Sequence, residues 1–172
     1  MQKLFHISGE PDIKIFHPRP SPQNYSSING NVVFAVSESK LHNYLLPRDC
    51  PRVSYSLNSK TSGEDKIKFF GNSKAEFIIT AEESWREEIE NCTIYKYELP
   101  RKTFRLLDKN AGYYISYEPV VPLSIVEIKN PKEELAKRNV ELRFSQNLTK
   151  LAEEVVQSTL GYSIIRLQNA KS

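Results

Sequence analysis

A chain of 172 residues, 39% apolar and 26% charged, can bury its own core and excludes a disordered or collagen-like protein. Its formal charge of +3 is too small to argue for a nucleic-acid or membrane partner. No stretch nears the roughly 18 apolar residues that cross a bilayer, and Met1-Gln2-Lys3-Leu4-Phe5-His6 lacks the core of a signal peptide. Cys50 and Cys92 fit no metal-ligating spacing, so the expectation is a cytoplasmic protein with reduced thiols and no metal.

In chain order, apolar alternation predicts strands over 3–7, 32–36, 53–57, 75–79, 93–98, 112–117, 123–128 and 141–144. Between the first two lies 17–31, with Pro18, Pro20, Pro22, three serines and Gly30; it reads as a surface loop. The run Val32-Val33-Phe34-Ala35-Val36 turns through a polar corner into a short helix carrying Ser39, Lys40 and Tyr44. Thr61-Ser62-Gly63-Glu64 and Thr80-Ala81-Glu82-Glu83 match the capping box, which predicts helices through Phe70 and through Asn91. Asn130-Pro131 opens a third helix. A fourth covers 148–159, with Leu148, Leu151, Ala152, Val155 and Val156 on one face. The irregular interleaving, with no GxGxxG and no P-loop, predicts an α+β fold in a single domain over 1–172.

Three segments resemble the ADP-ribosyltransferase superfamily, in particular the His-Tyr-Glu branch typified by poly(ADP-ribose) polymerase catalytic domains. His6 and Ser8 match a first strand ending in His-Gly-Ser. Phe34-Ala35, Ser39-Lys40 and Asn43-Tyr44 match, in order and spacing, a Tyr-Phe-Ala followed by Ser-Lys-Ser-Ala-Asn-Tyr. Glu118, followed by Val120-Val121-Pro122 and a further strand, matches the branch's late glutamate. Ile7 stands where that branch has Gly, and Phe34 keeps a ring without the hydroxyl.

The resemblance implies split, bent antiparallel sheets with flanking helices around a cleft, and NAD as substrate. Glu118 would stabilise the oxocarbenium-like state formed when nicotinamide leaves ribose. His6 would meet the adenosine ribose, while the Ile7 backbone and Ser39 would hold the nicotinamide amide. Phe34 and Tyr44 would bracket the ring. Ser8 completes the first motif. Two rivals stay open: a non-enzymatic partner-binding module with a degenerate cleft, and an enzyme of the same fold acting on RNA phosphates.

Over nearly its full length the chain also resembles an uncharacterised bacterial family of similar size. That likeness rests on Phe5-His6-Ile7-Ser8, Phe16-His17-Pro18-Arg19-Pro20-Ser21-Pro22, Leu46-Pro47-Arg48-Asp49-Cys50-Pro51-Arg52-Val53, Tyr97-Glu98-Leu99-Pro100 and Ser158-Thr159-Leu160-Gly161. Within it, Arg48-Asp49-Cys50-Pro51-Arg52 admits two readings. It is a phosphate or activated-thiol site, or, as we favour, a structural turn; the Cys-x5-Arg phosphatase spacing fails at Ser56.

Overall fold

A computed structural model of the chain describes residues 1–171. Its strands are β1 (Leu4–Ser8), β2 (Val33–Ser37), β3 (Arg52–Ser56), β4 (Phe77–Glu82) and β5 (Ile94–Leu99), followed by β6 (Arg105–Asp108), β7 (Tyr113–Ser116), β8 (Ser124–Ile128), β9 (Val140–Ser145) and β10 (Gly161–Ile165). The α-helices are α1 (Gly63–Asp65), α2 (Arg86–Asn91), α3 (Pro131–Lys137) and α4 (Leu148–Val156), and a 3-10 segment spans Glu38–Tyr44. The chain divides into two compact units, one of residues 1–44 and 93–128, the other of 45–92 and 129 onward. The architecture is mixed, two sheets with helices, consistent with α+β.

The first unit is a six-stranded sheet in the order β6-β7-β2-β1-β5-β8, antiparallel throughout. Residues paired across a sheet share a face. The register therefore puts Leu4, Val33, Ala35, Tyr97, Leu99 and Tyr114 on one side, where Phe16, Phe104 and Val120 close a core over them. Phe16 and Val120 are joined by backbone hydrogen bonds of 2.8 and 2.9 Å. The proline-rich 17–31 segment forms no strand, and its single bridge is Arg19 to Val32. Tyr117 pins its far end: the phenol oxygen accepts from the Asn29 N–H at 3.2 Å and from Arg105 at 2.6 Å.

The second unit is a four-stranded sheet in the order β10-β3-β4-β9. The expectation of wholly antiparallel sheets is corrected here, because β4 and β9 run parallel over Phe77↔Val140 to Glu82↔Ser145. Parallel neighbours need a long connection. The chain between β4 and β9 builds four strands of the other unit, then returns through α3. The apolar face of α4 packs Leu148, Ala152 and Val155 onto Val53, Tyr55, Ile78 and Leu160.

The capping box at Thr80 is a second correction. Thr80, Ala81 and Glu82 belong to β4, and the helix begins only after Glu83–Trp85. Pairing on both sides satisfies the backbone of β4 and leaves Thr80 and Ala81 buried, which outweighs a local cap. At the other box the cap shifts by one residue: Ser62, not Thr61, accepts the Asp65 N–H at 3.1 Å. Gly71, with φ at +55°, ends that helical stretch as expected. Strands β6 and β10 were not anticipated. Both are edge strands with partly or fully exposed residues, and β10 opens on glycine, so neither shows an apolar alternation.

Asp65 points away from its own helix. Its carboxylate accepts from the Thr159 N–H (2.8 Å) and hydroxyl (2.5 Å), while the Thr159 oxygen accepts the Ser62 N–H at 2.8 Å. These bonds hold the Asp65 carboxyl below the usual range, led by the Thr159 hydroxyl. A depressed carboxylate contributes stability that is full above its unfolded pKa and lost as pH falls through the folded value. Thr159→Val should therefore lower the melting temperature at pH 7, and the gap to wild type should shrink below about pH 3.5. Thermal melts across that window check this; a gap independent of pH refutes it.

Candidate functional site

Strand β1 lies between β2 and β5, but the two ladders are unequal. With β5 the pairing runs from Leu4↔Leu99 to Ser8↔Tyr95. With β2 it covers only Leu4↔Ser37 and Phe5↔Val36. Beyond Phe5 the ladder to β2 stops, and His6 bridges the interval by donating from Nδ1 to the Phe34 carbonyl at 3.0 Å. The carbonyl can only accept, so the proton is assigned to Nδ1. The half-buried imidazole also packs on Phe16, ring centroids 4.8 Å apart. His6, Ile7, Ser8 and Phe34 thus all lie along this split.

Alternation divides these side chains between the faces. Leu4, His6 and Ser8 point to the side of the Phe16 core; Phe5, Ile7, Phe34 and Val36 point to the other. On the Phe34 side stands a strip of half-buried rings. Phe34 meets Tyr25 of the proline-rich loop at 6.5 Å and Tyr113 edge-on at 6.1 Å, and Tyr113 meets Tyr44 at 5.9 Å. The Tyr44 hydroxyl donates to the Tyr113 hydroxyl. Burial raises the Tyr25 phenol pKa, helped by Tyr113 and Asp108. Tyr44 and Phe34 are therefore brought to one face, but with Tyr113 between them.

The 3-10 segment reaches Tyr113 because Gly112 lets it. Its φ is +69°, and a Cβ there would lie 2.4 Å from Ser37 Oγ and 2.7 Å from Lys40 Cγ. The Ser37 N–H donates to the Gly112 carbonyl at 2.8 Å. Ser39, exposed at the head of the segment, shares a 3.1 Å hydroxyl contact with Ser37. Asp108 Oδ1 shapes the turn before Gly112 by accepting from the Asn110 and Ala111 N–H groups.

Glu118 is exposed and lies two residues past the end of β7, its N–H on Ser116 Oγ at 3.2 Å. Val33↔Ser116 pairing brings that end of β7 to the end of β2 from which the split opens. Tyr113 is at the opposite end, about 10 Å from Ser116 at the usual strand rise. The register thus gathers His6, Ile7, Ser8, Phe34 and the Glu118 segment toward one end of the sheet. Tyr44 and Ser39 belong to the other end. Sequence reasoning missed Tyr113 and Tyr25: their neighbours are set by strand pairing and by the loop path, and neither leaves a local signal.

The arginine-cysteine turn is structural. Arg52 is buried, and its Nη1 donates to the carbonyls of Cys50 (2.7 Å), Pro47 (3.1 Å) and Arg48 (3.4 Å). Burial pushes the Cys50 thiol up to about 12, against the opposing pull of Arg52. The basic knot is also engaged in packing: Arg101 stacks on Tyr114 and Arg105 on Tyr117. Shallow hollows of about 420 and 230 Å³ lie in the second unit, and no expected site residue lines them. Among the described residues no cluster of His, Cys, Asp and Glu could hold a metal, and no helix is long and apolar enough to cross a membrane.

Residues 5–170 match a family of unknown function, DUF6886, and the chain belongs to it. No curated protein and no solved structure matches the chain.

Gly112→Ala should destabilise the fold by about 1–3 kcal/mol, from left-handed strain and the clash with Ser37 and Lys40, read by urea unfolding. A change within 0.5 kcal/mol would show that the turn relaxes freely. At pH 8 iodoacetamide should label half-buried Cys92 slowly and leave Cys50 untouched until urea unfolds the chain, because a raised pKa keeps the thiol protonated. Mass spectrometry of the labelled peptides decides it; early labelling of Cys50 contradicts the assignment.

Proposed function

We propose that the chain binds a nucleotide-type ligand, NAD or an ADP-ribose-like molecule, along the split between β1 and β2 and the ring strip beside it. The observation that carries this reading is the interrupted ladder after Phe5↔Val36, bridged by the His6 imidazole. A strand whose pairing stops mid-sheet offers backbone donors and acceptors to a ligand amide, which is the task assigned to Ile7 with Ser39. Neutral His6, with its proton on Nδ1, presents Nε2 as an acceptor to a ribose hydroxyl, while Ser8 follows on the same face. Phe34 and Tyr44 offer ring faces to a planar base.

Transfer of ADP-ribose is the extension of this reading. As nicotinamide departs with the electron pair of its bond to ribose, the exposed Glu118 carboxylate stabilises the positive charge left on the sugar. The rival, a partner-binding module without turnover, draws support from Tyr113, which stands where the bracketed ring would go.

NAD at a hundredfold its dissociation constant should stabilise the chain by about 2.7 kcal/mol, a melting shift on the order of 5–10 °C. Phe34→Ala or Tyr44→Ala should abolish the shift. Glu118→Gln should keep it and lose release of nicotinamide. If NAD, ADP-ribose and nicotinamide all leave the melting temperature unchanged, the reading fails; a shift without turnover in wild type selects the non-enzymatic module.

A further inference from the structure

We infer that Tyr113 is a built-in occupant of the ring slot, so that its side chain must leave before a planar ligand ring can lie between Phe34 and Tyr44. This rests on the ligand-binding reading above and adds the residue that sets its affinity. Three contacts define the placement. Tyr113 is edge-on to Phe34 at 6.1 Å, tilted against Tyr44 at 5.9 Å, and accepts the Tyr44 hydroxyl proton. One phenol thus touches both rings that were expected to hold the ligand, and supplies the edge-to-face contact that a bound ring would replace.

The backbone around Tyr113 keeps the ring there without making it immovable. Gly112 beneath it is fixed by positive φ and by its close approach to Ser37 and Lys40, so the Cα of Tyr113 has one location. Its side chain is only half-buried, however, and its two printed restraints on the strip are a ring contact to each neighbour and one hydroxyl bond to Tyr44. Rotation about χ1 toward solvent gives up those contacts and leaves the β2–β7 pairing of Tyr113 with Val36 in place. A ligand pays this penalty each time it binds, and its affinity is lowered accordingly.

The consequence reverses the usual effect of deleting an aromatic from a ring-binding site. Tyr113→Ala empties the slot and should tighten nicotinamide and NAD binding about tenfold or more, measured by titration calorimetry. Tyr113→Phe and Tyr44→Phe each remove the same hydroxyl bond and should each tighten binding by about fivefold, with no further gain in the double variant. The phenylalanine variants conserve packing and carry the test if the alanine variant melts below the working temperature. Unchanged or weaker binding in all three variants overturns the inference, because Tyr113 then acts as a wall of the site, and the ligand reading survives. Absence of binding in wild type and in every variant overturns both.

Discussion

The unequal pairing of β1 with its two neighbours is the constraint on which the first unit turns. Five residue pairs tie β1 to β5 and two tie it to β2, so one flank of β1 beyond Phe5 has no ladder. A carbonyl withdrawn from a ladder still needs a donor, because an unpaired buried backbone group costs about as much as a lost hydrogen bond. His6 supplies that donor to Phe34 and rests its ring on Phe16, which anchors the core on that face. The imidazole therefore keeps the sheet intact at the place where it opens, and a structural duty and a binding duty coincide in one side chain.

The second unit applies the same economy to the segment that looked most chemical. Two arginines, an aspartate and a cysteine within five residues have the composition of an anion or thiolate site. The buried Arg52 instead spends its guanidinium on three carbonyls of its own turn. Hydrogen bonds from a charged donor are stronger than neutral ones, so one arginine replaces the regular pairing that the prolines at 47 and 51 deny this stretch. Cys50 is packed beneath that clamp, where burial suppresses the thiolate. Across the unit, Asp65 does for the Thr159 turn what Arg52 does for its own, binding two segments nearly a hundred residues apart.

Eight strands, the helices at Ser62, Asn130 and Asn147, and the short helix leading to Tyr44 were legible because each carries its own period or cap. The failures were where neighbours, not propensity, chose the conformation. Thr80 satisfies a capping rule and yet lies in a strand, since β3 and β9 both claim its backbone. Edge strands β6 and β10, exposed and short, offer no alternation to read. At the candidate site the residues on β1 and β2 were found from their motif order. Tyr113 was not, because only the register Val36↔Tyr113 sets it against Phe34.

By itself the sequence determined the elements with strong periodicity, the proline-rich loop, and the positions of His6, Phe34, Tyr44 and Glu118 along the chain, since these depend on residues near in sequence. Tertiary structure alone decided that β4 and β9 run parallel, that His6 and Phe34 face opposite sides of one sheet while sharing a hydrogen bond, and that a third tyrosine separates the expected ring pair. The reason is that pairing partners are chosen by burial and backbone satisfaction summed over the whole sheet, and a shift of one residue turns every side chain to the other face.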